Sequence, residues 1–347
     1  MRKRRAVVLI AFAVVLLYMV LIPRETPPEY TVERRWIRQT DDVPDPGKWD
    51  EDIAAIPFLL DDSFGYVTRE GDLLHVERVR HGVAFGGSAY ANYGNVVQNL
   101  VLQNPVGRII ASLGPTGYPV FRDGRLFTLA EFGTRVTEWD PRGSSVWSRP
   151  FPSLITGMEA SAGLGVIGLL SGQVVVLDPD GGVDARIVPD GSEVEAIYAV
   201  DIDGSTMAIV SGLNPQLLSV YQLLDGGWDR IMVHELEGGF ARPVFLELAD
   251  GHAYVETPEG VSVATAPDWA LVDLPVRGRV VGSARLPGLT AFLSRSEFGA
   301  LLSVVADDGS LIIRKQFPAT ATWLTSHEDL LVLGVDNAIL SVEVPLG

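Results

Sequence analysis

The chain has 347 residues, 47% of them hydrophobic, which is enough to bury a large core. Its 27 Lys and Arg against 44 Asp and Glu give a formal net charge of −17, which argues against nucleic acid or an anionic lipid surface as the main partner. The absence of cysteine excludes disulfides and thiol chemistry.

The first feature along the chain is an unbroken run of apolar side chains at residues 6–22. As a helix this run would be about 25 Å long, and flanking residues can adjust for the difference from the roughly 30 Å hydrocarbon core of a bilayer. A basic cluster at residues 2–5 precedes it, so the positive-inside rule puts the N-terminus in the cytoplasm and the rest of the chain outside. We predict one N-terminal transmembrane helix, with its basic tip, at residues 1–23. A cleaved signal peptide is the alternative, but no small residues form a cleavage site at the end of the run.

The composition of residues 24–52 is that of a linker. They contain four prolines and an acidic cluster between residues 41 and 52, with little apolar periodicity. Segments of this kind stay extended and hydrated. We predict that residues 24–52 form an acidic, proline-rich linker and that residues 53–347 form one domain.

Beyond residue 53 the sequence alternates short apolar runs with turns. The runs have the period of two and the Gly, Asp and Pro boundaries of β-strands. One series of turn residues recurs about every 40 residues, and a second series follows each member except the last about 8–12 residues later. The first series consists of Gly71, Gly133, Gly172, Asn214, Gly260, Gly299 and Asn337. The repeat predicts an all-β domain that folds as a seven-bladed β-propeller.

Two details of the repeat bear on the number of blades. The last unit stops at Gly347 before its outer turn, so we expect residues 53–61 to pair with it and close the ring. The interval from Gly71 to Gly133 is about twenty residues longer than the repeat. It contains either an inserted loop or a further blade, and an eight-bladed propeller is therefore the alternative.

A recognisable motif lies at residues 135–147. Asp140 begins a tight turn, Gly143 closes it, and Trp147 follows four residues later. This pattern resembles the repeat of PQQ-type propellers, and the rhythm of the whole domain is also similar to that of WD-repeat propellers. The resemblance implies the fold but not the chemistry. Quinoprotein dehydrogenases of this superfamily use an adjacent cysteine pair, which this chain lacks, so no cofactor is expected.

The sequence predicts no catalytic, cofactor-binding or metal-binding residue. Residues 163–168 fit the pattern G-x-G-x-x-G, but a turn and a strand follow where a dinucleotide site needs a helix. The five histidines are not spaced as metal ligands, either with one another or with carboxylates.

A glycine-rich stretch at residues 85–95 is the predicted partner-binding site. It contains the aromatic rings of Tyr90 and Tyr93 and the amides of Asn92 and Asn95. Tyrosine supplies a large contact area at low entropic cost, and amides add adaptable hydrogen bonds. The alternative is that the stretch belongs to an irregular blade, with both tyrosines packed inside.

Together these features predict a protein-interaction scaffold of the bacterial cell envelope, anchored in the inner membrane with its propeller in the periplasm or outside. Its partner would be another envelope protein. The resemblance to non-catalytic propeller lipoproteins of the outer-membrane β-barrel assembly machinery implies the same, although those proteins need a lipid-modified cysteine that this chain lacks.

The alternative is a propeller enzyme that acts on envelope glycans or sugars through its central channel. Carboxylates and histidines clustered at a channel mouth would favour the enzyme, and an exposed apolar patch on one face would favour the scaffold.

Overall fold

The computed structural model describes residues 33–41, 54–97, 99–114, 116–130 and 132–344. These residues form 31 β-strands. In chain order they are β1 (Glu33–Gln39), β2 (Ile56–Leu59), β3 (Ser63–Val67), β4 (Leu73–Arg78), β5 (Gly82–Phe85), β6 (Tyr90–Tyr93), β7 (Leu100–Gln103), β8 (Ile109–Leu113), β9 (Tyr118–Arg122), β10 (Arg125–Ala130), β11 (Arg135–Trp139), β12 (Ser145–Pro150), β13 (Ile155–Ser161), β14 (Leu164–Leu169), β15 (Val174–Leu177), β16 (Val183–Ile187), β17 (Val194–Asp203), β18 (Thr206–Leu213), β19 (Gln216–Leu224), β20 (Gly227–Leu236), β21 (Leu246–Ala249), β22 (His252–Thr257), β23 (Gly260–Thr265), β24 (Ala270–Leu274), β25 (Arg279–Leu286), β26 (Leu289–Ser296), β27 (Gly299–Ala306), β28 (Leu311–Phe317), β29 (Ala321–His327), β30 (Leu330–Val335) and β31 (Ala338–Glu343).

The described strands form eight antiparallel sheets, of which seven have four strands and one has three. We number them blade I (β2–β4), blade II (β5–β8), blade III (β9–β12), blade IV (β13–β16), blade V (β17–β20), blade VI (β21–β24), blade VII (β25–β28) and blade VIII (β29–β31 with β1). In blades II to VIII we label the strands A to D from the inside outward: strands A of neighbouring blades contact one another, whereas strands D are largely exposed. The expectation of seven blades is therefore wrong, and the eight-bladed alternative is correct.

A hydrophobic core fills every junction between neighbouring blades. Most buried apolar residues of the described strands fall into eight clusters, and each cluster combines side chains from two consecutive blades. The cluster between blades VIII and I, for example, contains Trp36, Phe58 and Leu330. Because eight clusters join eight blades in sequence, the blades form a closed ring, the arrangement that leaves only short sheet edges exposed.

The ring is closed by β1, which pairs antiparallel with β31 and supplies strand D of blade VIII. The expectation that residues 53–61 would close the last blade is wrong, because β2 pairs with β3 in blade I instead. Strand β1 lies within residues 24–52, which the sequence analysis assigns to a linker. The acidic and proline-rich surroundings of β1 hide its strand character in the sequence.

The motif that resembles a PQQ repeat joins neighbouring blades. Asp140 Oδ1 accepts a hydrogen bond from the backbone N–H of Ser144 (2.7 Å), which fixes the C–D turn of blade III. Gly143 occupies the left-handed region in that turn, with φ +83°, where glycine carries no steric penalty. Trp147 on strand D packs its indole against Gly181 in the C–D turn of blade IV, so closely that a Cβ there would clash.

The closing strand β1 repeats this docking at the junction of blades VIII and I. Trp36 packs on Gly71 as Trp147 packs on the glycine of blade IV. Arg38 Nε donates to the Gly71 carbonyl (2.8 Å), and Arg149 Nε donates to the Gly181 carbonyl (2.7 Å). Both strands therefore place a Trp-x-Arg sequence on the next blade in the same way.

Because Trp36 docks on Gly71 as Trp147 docks on the C–D turn of blade IV, the turn at Gly71 is itself a C–D turn, and the strands of blade I can be labelled from it. The Thr68 carbonyl accepts from the N–H of Gly71 (3.0 Å), and Thr68 Oγ1 accepts from the N–H of Asp72 (3.2 Å), which is the pattern of the C–D turns elsewhere. Strands β2, β3 and β4 are therefore strands B, C and D. Gly71 belongs to a C–D turn whereas Gly133 belongs to a B–C turn, which explains the long interval between them: blade II lies in it.

The predicted transmembrane helix at residues 1–23 lies outside the described residues, as does most of the predicted linker. In the described ranges no helix is long and apolar enough to span a bilayer.

Replacing Trp36 by alanine is expected to destabilise the propeller by about 3–5 kcal/mol, because it leaves a cavity in the closing junction and removes the hydrogen bond from Nε1 to the Arg69 carbonyl (2.9 Å). Urea unfolding measures this loss. Ile37→Ala on the same strand is the control, because Ile37 is 46% exposed whereas Trp36 is 8% exposed. Equal stability of the two variants would contradict closure by β1.

Candidate functional site

The loops of the propeller lie on two opposite faces of the ring. The AB face carries the A–B and C–D turns, and the BC face carries the B–C turns and the connections between blades. Two features stand out among the described residues: a group of carboxylates along the inner strands near the AB face, and a row of exposed apolar side chains on the BC face.

Three carboxylates occupy the same register position in three consecutive inner strands. Glu159, Asp201 and Glu247 each lie two residues before the end of β13, β17 and β21. In each of these blades, the carboxylate lies two positions before the last residue pair of the A–B hairpin. The three side chains therefore lie at the same height along the inner wall of the ring. We call Glu159, Asp201 and Glu247 the acidic arc.

An arginine from the adjoining blade pairs with each end of the acidic arc. Arg122 Nε of blade III lies 2.6 Å from Glu159 Oε2, and Arg285 Nε of blade VII lies 3.1 Å from Glu247 Oε1. Asp201, in the middle, accepts hydrogen bonds from the backbone N–H groups of Leu248 and Ile202, each at 2.7 Å. Five consecutive blades thus contribute one charged side chain each.

The environment of Asp201 favours its protonated form. The pKa of Asp201 is raised to about 7, first by burial and then by the neighbouring carboxylates Glu159 and Glu247, against the opposing effect of the backbone donors. Burial also raises the pKa of Glu159, although Arg122 opposes this. The arc can therefore hold a proton near neutral pH. In the part of the chain that the structure describes, no three His, Asp or Glu side chains are placed to hold a metal ion.

Replacing Asp201 by asparagine tests this electrostatic description. A folded-state pKa above the ordinary 3.8 means that ionisation of Asp201 costs stability as pH rises from about 4 to about 7. We expect the stability of Asp201→Asn relative to the unmodified protein to increase between pH 4.5 and pH 8, as measured by urea unfolding at both values. Asp225→Asn, on an exposed turn, controls for loss of a charge. A relative stability that is the same at both pH values would contradict the description.

The structure separates the four residues of the predicted partner-binding site. Tyr90 is fully buried with its hydroxyl 2.8 Å from His75 Nε2, and Asn92 is buried with its amide donating to Glu77 (2.8 Å). Both lie on β6 and tie blade II to blade I, so neither has surface to present to a partner. Tyr93 is partly buried and Asn95 is exposed. A partner contact by these two residues stays a prediction.

A row of exposed apolar side chains crosses the BC face from blade II to blade V. We call it the BC stripe. Its members occupy B–C turns, connections between blades or the strand ends next to them. They are Val96, Tyr118, Phe132, Leu154, Leu170 and Val194.

Neighbouring members of the BC stripe are linked by contacts between their loops. Tyr118 donates its hydroxyl proton to the Asn95 carbonyl (2.8 Å), beside Val96. Leu154 lies against Gly133, next to Phe132, and the N–H of Leu170 donates to the Leu154 carbonyl (2.8 Å). The stripe is therefore built from adjacent loops, and one end of it meets the exposed residue Asn95 of the predicted site.

Phe132 has a counterpart on the other side of the ring. Phe132 is fully exposed in the B–C turn of blade III, and Phe298 is 74% exposed in the B–C turn of blade VII. Each is followed by a glycine with positive φ, Gly133 and Gly299. Blades III and VII are opposite each other in an eight-bladed ring, so Phe298 lies away from the BC stripe and provides a matched comparison for it.

Comparison with known proteins agrees with this architecture. The sequence matches a protein family described as "beta-propeller protein" over residues 1–345, and the chain belongs to that family. It is 26% identical over 294 residues to an uncharacterized protein of Treponema pallidum (strain Nichols), covering 83% of this chain and 78% of that protein. Its fold is similar to the crystal structure of BamB from Moraxella catarrhalis, with a TM-score of 0.62, 13% identity, and coverage of 90% of this chain and 100% of that one.

Proposed function

We propose that the protein is a propeller of the bacterial cell envelope, held at the inner membrane by residues 6–22, that binds a partner protein through the BC stripe. The observation that carries this proposal is the row of exposed apolar side chains on one face of the ring. Contiguous apolar surface on a soluble domain is typical of interaction sites. Burial of one large apolar side chain contributes about 1.5–3 kcal/mol, so several together can drive association.

The path of the chain favours a protein partner over a lipid surface. Strand β1 begins at Glu33, which pairs with Glu343 at the AB face, and runs to Gln39, which pairs with Ala338 at the BC face. The segment before β1 therefore joins the propeller at the AB face, opposite the BC stripe. With residues 6–22 in a bilayer, the stripe would face the aqueous compartment, where its occupant would be a soluble protein or protein domain.

The alternative of a glycan-acting enzyme is less well supported. The acidic arc is a cluster of carboxylates near a channel mouth, but no histidine belongs to it, and Arg122 and Arg285 pair with its two outer members. Pairing of this kind occupies the carboxylate oxygens and joins neighbouring blades. The resemblance of the C–D turns to PQQ-type propellers, together with the missing cysteine pair, also supports the non-enzymatic function.

Site-specific photocrosslinking tests the proposed function. A photoreactive phenylalanine analogue at position 132 of the full-length protein, irradiated in intact cells of its own species, is expected to give a discrete protein adduct. The same analogue at position 298 is the matched control and is expected to give none. Leu170→Asp should reduce the adduct at position 132 at least about tenfold, because an apolar contact worth about 1.5–3 kcal/mol is lost.

The effect of Leu170→Asp on the adduct at position 132 can be interpreted only if this variant folds normally. Leu170 is exposed, so Leu170→Asp should alter unfolding free energy by no more than about 0.5 kcal/mol. Equal adducts at positions 132 and 298, adducts with lipid alone, or an adduct insensitive to Leu170→Asp would each contradict binding through the BC stripe.

A further inference from the structure

A cavity of about 380 Å³ lies between blades II and III and opens on the AB face. This volume is within the range of about 300–1,000 Å³ typical of small-ligand pockets. The A–B turn of blade II forms one side, through Gly87 and Ala89, and the C–D turn of blade III forms another, through Asp140. The cavity shares no residue with the acidic arc or the BC stripe.

The walls of the cavity are largely apolar. They include Phe121, Leu126 and Trp139, and the half-exposed side chains of Ile110 and Val146 lie among the lining residues. Trp139 donates its indole N–H to Thr128 Oγ1 (2.9 Å), so its polar atom is already satisfied and its ring contributes apolar surface. The cavity therefore accommodates an apolar group of a ligand.

Three ionisable side chains of the described residues line the cavity, and their charges do not cancel. Arg125 and Glu138 form a two-pronged ion pair, with Nε to Oε1 at 2.9 Å and Nη2 to Oε2 at 2.5 Å. Arg125 Nη1 also donates to the Gly163 carbonyl (2.9 Å). Asp140 accepts only backbone N–H groups, among them that of Ser144 (2.7 Å), and pairs with no basic side chain of the described residues. The lining residues that the structure describes therefore carry one uncompensated negative charge.

We propose that this cavity binds a primary ammonium group on an aliphatic stem, the chemistry of a lysine side chain or of a free alkylamine. The stem packs against the apolar walls, as the stems of long basic side chains do, and the ammonium group lies near the Asp140 carboxylate. The aromatic rings of Phe121 and Trp139 add attraction for a cation. A protein of net charge −17 also attracts cations to its surface over a longer range.

The charge of Asp140 can be removed without removing its turn. Asn104 holds the C–D turn of blade II through the same bond, from the N–H of Arg108 to its side-chain oxygen (2.9 Å), so Asp140→Asn should fold normally. Asp178→Asn is the matched control. Asp178 makes the same turn in blade IV, with the N–H of Gly182 donating to Oδ1 (2.7 Å), and does not line the cavity.

A side chain can also be added at the lining residue Gly87 without backbone strain, and we expect it to obstruct the cavity. A Cβ at Gly87 would meet no atom within 4 Å, and Gly87 has no positive φ, so Gly87→Leu places a side chain in open space. Gly226→Leu is its control, because Gly226 also has no atom within 4 Å and lies on the distant C–D turn of blade V.

Calorimetric titration of the full-length chain in zwitterionic nanodiscs, with empty nanodiscs subtracted, tests the proposal. The probes are hexylammonium, the peptide acetyl-Ala-Lys-Ala-amide and the uncharged hexanol. Hexylammonium or the peptide is expected to bind, at least about tenfold more weakly to Asp140→Asn and to Gly87→Leu, and unchanged to Asp178→Asn and Gly226→Leu. Tighter binding of the peptide would identify a lysine of a protein as the source, and tighter binding of hexylammonium would identify a free amine.

Three results would overturn the proposal: no binding of either cation at millimolar concentration, hexanol binding as tightly as hexylammonium, or unchanged binding by Asp140→Asn. Because the cavity and the BC stripe lie on opposite faces, this outcome is independent of the crosslinking result.

Discussion

The pairing of β1 with β31 completes the last blade and brings the two ends of the propeller together. Seven junctions lie between blades that follow one another along the chain. The eighth lies between blade VIII and blade I, and blade VIII is itself completed by β1, a strand from the start of the propeller. Trp36 completes that junction by packing on Gly71. Without β1, the outer edge of β31 would be open to other chains.

The sequence predicted the propeller because turns are the most local feature of this fold. The spacing of Asp140, Gly143 and Trp147 is enough to identify a C–D turn and the docking tryptophan after it. The blade count could not be read in the same way, because Gly71 resembles the glycines of B–C turns although it lies in a C–D turn. One signal was available: the Trp-x-Arg sequence at Trp36 matches that at Trp147.

The candidate sites were not predictable from the sequence because their residues are far apart along the chain and come together only when the blades pack side by side. Glu159 and Asp201 are more than 40 residues apart, with dissimilar neighbours, and only strand register aligns them. Single exposed apolar residues such as Phe132 are common on protein surfaces and become informative only beside others. Conversely, the sequence around Tyr90 has the composition of a binding loop, but Tyr90 lies on β6 and its ring is buried where blade II packs against blade I.

The two faces of the ring differ in chemistry: apolar loops cross the BC face, whereas the acidic arc and a negatively charged cavity lie toward the AB face, where β1 begins. The chain enters the ring at the AB face only if residues 33–39 are part of the ring. Hydrogen exchange of the full-length protein, followed by mass spectrometry, measures this most directly. Closure by β1 predicts that the amides of Glu33–Gln39 are protected to a similar extent as those of Ala338–Glu343. Exchange of Glu33–Gln39 at the rate of an unstructured peptide, with Ala338–Glu343 still protected, would contradict it.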